Sequence, residues 1–372
     1  MNKGLDFVVI LLIWGGLMLF LLQSLPADAH KSDNRNFSAS IISLFKNQIS
    51  KPKEIKGIIS VFDKKGDFKK AAVFFSRKID IYDIKISPTL PAGSQGGPKL
   101  IFAGSDYGLF VSRDNGFNWK SFSDNEKKIG ADAKIYKILF GPSDYGHLSV
   151  FQGNKGIIYQ SRDNFSSLTK ILEFSDVAIN DFDITEKNLY AGLSDQTLVV
   201  YSLKNQSFKI LSAFNSPISR LKAETDNLIY LTLKSGGFFI SRDSGLSFEK
   251  MKFLENYRGA DRIYDFAVDP VRNKPPQAAV ASLIYAATEY GLIRSRDFGK
   301  NWQVFDSLPK DNQKIFKVIG RNDEILAVNY DKIYKSRDAG LSWRILYPEI
   351  EDSRMISALA VGEDIIIVGS RK

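Results

Sequence analysis

One eight-residue pattern recurs through this chain and constrains its fold more than any other feature. The pattern Ser-Arg-Asp-x-Gly-x-x-Trp is complete at residues 112–119, 295–302 and 336–343. Residues 241–248 differ only in ending on phenylalanine, and residues 161–168 keep Ser-Arg-Asp but lose the glycine and the tryptophan. At average composition, a given tripeptide such as Ser-Arg-Asp is expected about a tenth of once in a chain of this length. Its five copies therefore mark a structural repeat.

Short apolar runs flank each copy of the pattern. Ahead of the first complete copy lie residues 81–86, 100–103 and 108–112, and the terminal aromatic residue opens a further run at 119–122. Period-two alternation that is broken by Gly, Pro, Asn and Asp is typical of β-strands. Four short antiparallel strands per repeat predict the blade of a β-propeller.

The predicted number of blades depends on two degenerate copies, at Ser60 and Ser202. With these included, the first serine of the pattern falls at positions 60, 112, 161, 202, 241, 295 and 336. The intervals are close to the length of a propeller repeat with loop insertions. Seven blades follow, and six or eight would follow if either degenerate copy were assigned wrongly.

The two ends of the repeat region complement each other. Residues 55–62 and 70–76 correspond to the last two strands of a blade, whereas 355–361 and 365–368 correspond to the first two. One shared blade would close the ring and leave no open sheet edge. The sequence therefore predicts an all-β, seven-bladed β-propeller over residues 55–372. Its blades are four-stranded and antiparallel, and N- and C-terminal strands share the last one.

Residues 1–54 have a different character. Residues 7–22 form an uncharged apolar run, and Ala27-Asp28-Ala29 matches the cleavage site of a secretory signal peptide. Residues 1–29 are therefore either a cleaved signal peptide or an apolar helix that stays in the membrane through residues 7–22. In either case the rest of the chain is extracytoplasmic, in the periplasm or at the cell surface, and is membrane-anchored or secreted. Residues 30–54 are polar and predict a tether.

Composition narrows the possible chemistry. The chain contains no cysteine, which excludes disulfides, thiolate metal sites and a cysteine nucleophile. Its net charge of +9 would suit an anionic partner. However, no run of Lys and Arg exceeds two residues, and we predict no nucleic-acid partner. Phosphate-loop, metal-cluster and Gly-x-Ser-x-Gly signatures are missing, so no cofactor or metal is predicted. His147 is the one histidine of the repeat region, and we expect it in a surface loop.

The residue types of the pattern suit a tight turn. Ser and Asp side chains accept hydrogen bonds from turn N–H groups, Gly adopts backbone angles that other residues avoid, and the final aromatic residue packs between sheets. Three of the four tryptophans occupy this last position. A structural role is predicted for Ser112, Asp114, Gly116, Trp119, Ser161, Asp163, Ser241, Asp243, Gly245, Phe248, Ser295, Asp297, Gly299, Trp302, Ser336, Asp338, Gly340 and Trp343.

Together with the preceding Gly-apolar strand, the pattern Ser-x-Asp-x-Gly-x-x-Trp resembles the Asp-box, or bacterial neuraminidase repeat. This repeat occurs in sialidases, in sortilin-type receptor propellers and in propellers similar to photosystem II assembly factors. The resemblance covers residues 55–372. It implies a propeller with the box between the third and fourth strands of a blade, on the rim away from the usual binding face. The box is shared by enzymes and non-enzymes, so it implies a fold rather than an activity.

The sequence departs from the sialidase pattern because it contains no Arg-Ile-Pro. Five arginines are the middle residue of Ser-Arg-Asp, on the rim where a substrate pocket is not expected, and they would form a partial basic ring there. No catalytic residue is predicted, and the protein is interpreted as a non-enzyme. The five arginines are Arg113, Arg162, Arg242, Arg296 and Arg337.

Binding is the remaining role, and tyrosines beside charged residues suit contact with a protein. We predict an exported, membrane-tethered, non-enzymatic propeller that binds a protein partner in scaffolding or assembly. A glycan-binding or sialidase-like glycosidase propeller is the alternative. The candidate partner-binding residues lie in predicted loops between second and third strands: Asp106, Tyr107, Glu289, Tyr290, Tyr330 and Asp331.

Overall fold

The computed structural model describes residues 59–72, 79–89, 99–130, 132–252, 257–269, 283–305, 307–308, 314–321, 323–348 and 355–372. The predicted signal or anchor and the tether, residues 1–54, lie outside this part of the chain. Within the described residues, no helix is long and apolar enough to cross a membrane.

The described residues form seven four-stranded antiparallel sheets, which are the blades of a β-propeller. In blades 1 to 6, four consecutive strands run from the centre of the ring to its periphery. The first strand of each blade contacts the first strands of both neighbouring blades, so these seven strands surround a central channel. The prediction of seven four-stranded blades is confirmed, including the two that carry Ser60 and Ser202.

The strands are numbered in chain order, and their bounds define the blades. Blade 1 contains β3 (Ile81–Ile86), β4 (Ile101–Ser105), β5 (Gly108–Ser112) and β6 (Lys120–Phe122). Blade 2 contains β7 (Lys134–Phe140), β8 (Gly146–Gln152), β9 (Lys155–Ser161) and β10 (Thr169–Ser175). Blade 3 contains β11 (Ile179–Ile184), β12 (Asn188–Leu193), β13 (Thr197–Ser202) and β14 (Ser207–Ala213). Blade 4 contains β15 (Ile218–Ala223), β16 (Ile229–Leu233), β17 (Phe238–Ser241) and β18 (Glu249–Lys250).

Blades 5 and 6 follow the same order, and blade 7 closes the ring. Blade 5 contains β19 (Ile263–Asp269), β20 (Leu283–Thr288), β21 (Leu292–Ser295) and β22 (Gln303–Val304). Blade 6 contains β23 (Lys317–Arg321), β24 (Glu324–Val328), β25 (Ile333–Ser336) and β26 (Arg344–Leu346). Blade 7 contains β27 (Met355–Val361), β28 (Ile365–Arg371), β1 (Ile59–Asp63) and β2 (Phe68–Ala72).

Blade 7 joins the two ends of the repeat region, as the sequence predicts. Its strand order is β2-β1-β28-β27, and β1 pairs with β28 from Ile59 opposite Gly369 to Asp63 opposite Ile365. This pairing satisfies the hydrogen-bonding edges that two half-blades would otherwise expose. The ring is therefore closed by backbone hydrogen bonds between distant parts of the sequence.

The hydrophobic core is divided among the interfaces between blades. Between blades 4 and 5, for example, Phe238 and Ile263 pack with Ile284 and Trp302, all with little or no exposure. Full burial of one such side chain contributes about 1.5–3 kcal/mol. Because both faces of each blade pack against a neighbour, second strands such as β16 and β24 read as nearly continuous apolar runs. The innermost strands instead carry polar residues next to the channel, such as Asp83 in β3 and Asp181 in β11, and these residues require an explanation.

Candidate functional site

The recurrent pattern forms a hydrogen-bonded turn between the third and fourth strands of a blade. At residues 112–119, the Ser112 hydroxyl donates to Asp114 Oδ1 at 2.8 Å and accepts from the Gly116 N–H at 2.9 Å. Asp114 Oδ1 also accepts from the Asn118 N–H at 2.8 Å, and the Trp119 indole N–H donates to the Gly116 carbonyl at 2.8 Å. The serine-to-aspartate bond is 2.8 Å long in all five copies.

Within each turn, the polar side chains of the pattern bond to one another and to the backbone. Hydrogen bonds from the Ser247 hydroxyl and N–H lower the pKa of Asp243 to about 2. The same bonds from Ser342 lower the pKa of Asp338 to about 2. Trp302 is buried against Phe238, with ring centroids 5.6 Å apart. These contacts join residues within one turn or in neighbouring blades, and they hold the outer strands of the blades.

The five arginines of Ser-Arg-Asp are exposed on the same rim as these turns, which we call the turn face. Arg242 pairs with Glu249 at 3.2 Å, and Arg162 lies over the ring of Tyr145 at 4.8 Å. Arg337 donates to the Lys64 carbonyl at 2.6 Å. Several members of the predicted basic ring are thus engaged in local contacts.

The channel opens on the turn face into a depression of about 1120 Å³ between blades 1, 6 and 7. Ile84, Leu326 and Leu359 contribute apolar surface to its lining. The charged residues around it include two ion pairs, Lys99 with Glu363 at 3.7 Å and Lys335 with Glu324 at 2.9 Å. Nothing in this arrangement favours one ligand chemistry over another.

The predicted loop residues lie on the opposite face, where second strands turn into third strands. We call it the mouth face. Asp106 and Tyr107 connect β4 to β5, and Asp106 Oδ1 accepts from the Asp80 N–H at 2.8 Å. Tyr330 and Asp331 connect β24 to β25. Tyr330 is 44% exposed, and its ring centroid lies 4.5 Å from that of Phe316.

The third predicted loop, between β20 and β21, carries Glu289 and Tyr290. The Glu289 carboxylate binds Arg262 at 2.8 Å and Lys314 at 3.1 Å, and hydrogen bonds from these two residues lower its pKa. Tyr290 packs against Tyr257 with ring centroids 5.2 Å apart. Tyrosines and paired charges thus occur together on this face.

Sequence reasoning missed a ring of residues at the end of the channel on the mouth face. A buried isoleucine lies at or near the start of each inner strand, and the residue after it lies at this end of the channel. In six of the seven blades this residue occupies an irregularity in the pairing of the first two strands, where a β-bulge redirects side chains. We call these residues the mouth ring: Tyr82, Tyr136, Asn180, Ser219, Tyr264, Phe316 and Ser357.

Four of the seven members of the mouth ring are aromatic, and they contact one another across blade boundaries. The ring centroids of Tyr82 and Tyr136 are 5.1 Å apart, and those of Tyr264 and Phe316 are 4.8 Å apart. Burial and the nearby Asp106 carboxylate raise the pKa of Tyr82 to about 12, so its hydroxyl stays protonated at neutral pH. With Tyr330, these residues form two aromatic clusters, over blades 1–2 and blades 5–6.

The residue after each member of the mouth ring forms a second layer in the channel, and this layer alternates in charge. We call it the charge ring. Its carboxylates bind the backbone of the next blade: Asp83 accepts from the Ile138 N–H at 3.0 Å, and Asp265 accepts from the Val318 N–H at 3.2 Å. In blade order the charge ring consists of Asp83, Lys137, Asp181, Arg220, Asp265, Lys317 and Ala358.

Ion pairs link members of the charge ring in neighbouring blades. Lys137 Nζ lies 2.5 Å from Asp181 Oδ1, and Arg220 Nε lies 3.2 Å from Asp265 Oδ1. Burial alone would lower the pKa of Lys137, but the charges of Asp181 and Asp183 outweigh it and raise that pKa. These carboxylates are committed to backbone N–H groups and cations, which does not suit them to general acid or base chemistry.

His147 lies inside blade 2, and our expectation of a surface loop is wrong. It belongs to β8 and is 1% exposed. Its Nδ1 lies 3.1 Å from the Tyr145 carbonyl, which can only accept, so Nδ1 carries the proton and Nε2 can accept from the Gln160 amide at 3.1 Å. Burial lowers the pKa of His147 to about 4. The ring is therefore a neutral core group at neutral pH.

A search of the described residues finds no cluster of three or more His, Cys, Asp and Glu side chains that could hold a metal ion. The candidate functional features that the structure brings together are the mouth ring, the charge ring and the loops of the mouth face. The turns of the recurrent pattern lie on the other side of the molecule.

Comparison with known proteins supports the fold. The sequence matches no protein-family model and no curated protein. The structure is similar to the extracellular domain of the hybrid two component system BT4673 from B. thetaiotaomicron, with a TM-score of 0.56 and 15% identity. The match covers 80% of this chain but only 38% of that one.

Two further similar structures match over nearly their whole length. YCF48 from Cyanidioschyzon merolae has a TM-score of 0.54 and 12% identity over 83% of this chain and 98% of its own. The WD40 repeats of RRP9 have a TM-score of 0.55 and 10% identity over 84% of this chain and 98% of their own. At such identities, the likeness establishes the fold alone.

Proposed function

We propose that this chain is an exported, membrane-tethered, non-enzymatic propeller that binds a protein partner through its mouth face, in a scaffolding or assembly role. The observation that carries the proposal is the concentration of aromatic side chains around the mouth of the channel. Tyr82 and Tyr136 form one cluster, and Tyr264, Phe316 and Tyr330 form the other. Tyrosine is enriched among the residues that dominate binding energy at protein interfaces.

The surroundings of these clusters support protein contact over catalysis. Exposed Tyr107 and Tyr330 extend the aromatic surface outward, at 38% and 44% exposure. Arg262, Glu289 and Lys314 add a charged network next to the second cluster. An aromatic centre with a charged, hydrated margin is typical of specific protein interfaces.

The similar structures are consistent with export and with binding, although each name applies to its own protein. One is described as an extracellular domain, which agrees with the export that residues 1–29 predict here. Propellers described as WD40 repeats and as YCF48 share the architecture. The Asp-box resemblance belongs to the same proposal: its turns would stabilise the blades while the mouth face carries recognition.

A glycan-binding or sialidase-like role is the second candidate, because aromatic rings at a channel mouth can also stack on sugars. Three converging arginines would favour a sialidase-type pocket. The charge ring contains one arginine, Arg220, and it is bound to Asp265. Protein binding is therefore the stronger proposal.

Site-specific photo-crosslinking in the native host tests the proposal. A photoreactive phenylalanine analogue replaces Tyr330 on the mouth face or, as the matched control, Leu341 on the turn face, which is 81% exposed. We expect a discrete crosslinked protein from position 330 that is missing at position 341. Tyr330→Ala should then weaken binding of that partner about 30-fold, as for an interface residue worth about 2 kcal/mol.

Two outcomes would contradict the proposal. Crosslinks from position 341 alone would move the binding surface to the turn face. No protein crosslink from position 330, together with strong and Tyr330-dependent binding on a glycan array, would favour the second candidate.

A further inference from the structure

The charge ring cannot alternate in sign all the way around because it has seven members. Blades 1, 3 and 5 contribute aspartates, and blades 2, 4 and 6 contribute basic residues. The mismatch falls on blade 7, where the ring residue is Ala358, and its neighbour in blade 6 is Lys317. Lys317 is thus the one basic residue of the ring whose next neighbour has no carboxylate.

Blade 3 shows what surrounds a carboxylate at such a position. Asp181 Oδ1 binds Lys137 Nζ from the preceding blade at 2.5 Å and its own neighbour, the Phe182 N–H, at 3.0 Å. Asp181 Oδ2 accepts from the Leu221 N–H of the following blade at 2.8 Å. One cation and two backbone donors therefore converge on a single carboxylate.

Blade 5 repeats this arrangement with a different cation. Asp265 Oδ1 binds Arg220 Nε of the preceding blade at 3.2 Å, and Oδ2 accepts from the Val318 N–H of the following blade at 3.2 Å. Blades 3 and 5 thus share two contacts, a cation of the preceding blade on Oδ1 and a backbone N–H of the following blade on Oδ2, and blade 3 adds the N–H of the next residue. Blade 7 is the third blade that follows a basic member of the charge ring, so an aspartate at its ring position would have a cation in the preceding blade as well.

In blade 7, the cation and the backbone after the ring position are present without the aspartate. Lys317 takes the place of Lys137 and Arg220, and the backbone of β27 after Ala358 takes the place of the backbone after Asp181. The donor of the following blade, the Ile84 N–H, is bonded to Asp83 Oδ1 at 3.0 Å. The backbone of Lys317 pairs with Val328 of β24, whereas its side chain forms no hydrogen bond or ion pair within the described residues.

Four other basic side chains of the inner strands are paired. Lys85 binds Asp83 at 3.4 Å, and Lys222 binds Asp183 at 2.8 Å. Lys137 and Arg220 have the partners described above. Lys317 is partly buried, and burial lowers its pKa although Asp265 opposes this shift. A partly desolvated cation without a partner is a site where an anion is stabilised.

We infer that Lys317 and the backbone beside Ala358 bind a small carboxylate anion, of the size of formate or acetate, in place of the aspartate that blade 7 lacks. The ligand class follows from the chain's own Asp181 and Asp265, whose carboxylates occupy the equivalent positions. An alanine differs from an aspartate by one carboxyl group, so the site suits a small, planar monoanion. A single cation does not balance the charge of a phosphate or sulfate dianion.

The inference does not depend on recognition at the mouth face, and the test uses the purified full chain. Binding of ¹³C-labelled formate and acetate is followed by their NMR linewidths in low-salt buffer, with chloride added as the competing anion. We expect saturable binding to the wild-type protein, with acetate displaced by formate but poorly by chloride. Lys317→Met should weaken binding about tenfold or more, because one charge-assisted hydrogen bond is lost.

Two further variants separate a specific site from a general charge effect. Lys120→Met removes the same charge from an exposed position on β6 and should leave binding unchanged. Ala358→Asp supplies the missing carboxylate within the chain, so it should abolish acetate binding and raise the melting temperature.

Several results would overturn the inference. These are no saturable binding to the wild-type protein, equal binding by Lys317→Met and wild type, or equal displacement by chloride. Undiminished acetate binding by a folded Ala358→Asp protein would also exclude the site. If Ala358→Asp does not fold, the comparison of Lys317→Met with Lys120→Met decides the question.

Discussion

Removal of the Asp181 carboxylate should destabilise the propeller more than loss of any exposed ion pair. Asp181 is 4% exposed and holds three donors from three blades: Lys137 Nζ, the Phe182 N–H and the Leu221 N–H. Asp181→Ala leaves a poorly hydrated cation and two backbone donors without their acceptor. Breaking one partner of a buried pair typically costs 3–5 kcal/mol.

We expect Asp181→Ala to lower the free energy of unfolding by about 3 kcal/mol, the lower end of that range. Asp183 remains near Lys137 and partly compensates its charge. A propeller of roughly 300 residues has an unfolding entropy of about 0.6 kcal/mol per degree. The melting temperature should therefore fall by about 5 °C, which differential scanning calorimetry resolves.

Matched variants make this prediction specific. Glu249→Ala removes a carboxylate from the exposed pair with Arg242 and should cost less than about 1 kcal/mol. Adding Lys137→Met to Asp181→Ala should recover part of the loss, because the unpaired cation is removed. A shift for Asp181→Ala no larger than that of Glu249→Ala, or no recovery in the double variant, would refute the interpretation of the charge ring.

Two further predictions concern the turns and the core. Asp114→Ala removes the acceptor for Ser112 and Asn118, so it should lower the free energy of unfolding in urea by about 1–3 kcal/mol. Partner binding should stay unchanged. Unchanged unfolding together with lost binding would place the turn in the recognition surface. Because burial lowers the pKa of His147 from 6.5 to about 4, the unfolded chain takes up this proton first as the pH falls. The contribution of neutral His147 to the free energy of unfolding should thus be complete above pH 6.5 and fall by about 3 kcal/mol as the pH drops to 4. A His147→Gln protein whose stability has the same pH dependence as the wild type would contradict this.

The sequence predicts the architecture well because the turn pattern recurs in a nearly constant form. Even the copies around Ser60 and Ser202 are recognisable from spacing and from the apolar runs before them. The chemistry of each turn is local, so hydrogen bonds within eight residues largely determine it. Local determinants of this kind can be read from one sequence without knowledge of the neighbouring blades.

The channel is harder to predict because its order lies between blades. The triplets Ile81-Tyr82-Asp83 and Ile135-Tyr136-Lys137 share an isoleucine but differ in the charged residue. The alternation of sign emerges only when all seven inner strands are placed side by side. The pattern of an isoleucine followed two positions later by a charged residue is complete in six of the seven blades, and it could have revealed the ring. Lys317 lacks a carboxylate partner because residue 358, in the next blade, is an alanine. The sequence around Lys317 does not show this.

The error at His147 has a specific cause. Tyr145-Gly146 suggests a turn, but Gly146 begins β8 and meets the ring of Phe165. A Cβ on Gly146 would lie 2.5 Å from Phe165, so this glycine allows close packing within a blade. A glycine that makes room for an aromatic ring and a glycine that permits a turn look the same in one sequence.

The pairing of β1 with β28 also has a kinetic consequence. Ile59 and Gly369 are paired on neighbouring strands, so the ring cannot close until the chain has been made as far as Gly369. At synthesis rates of about 5–20 residues per second, β1 waits on the order of 15–60 s for its partner strand. During that time its edge is open to pairing with other chains. A factor that keeps residues 59–72 from pairing with other chains until blade 7 is complete should therefore favour correct assembly of this protein in cells.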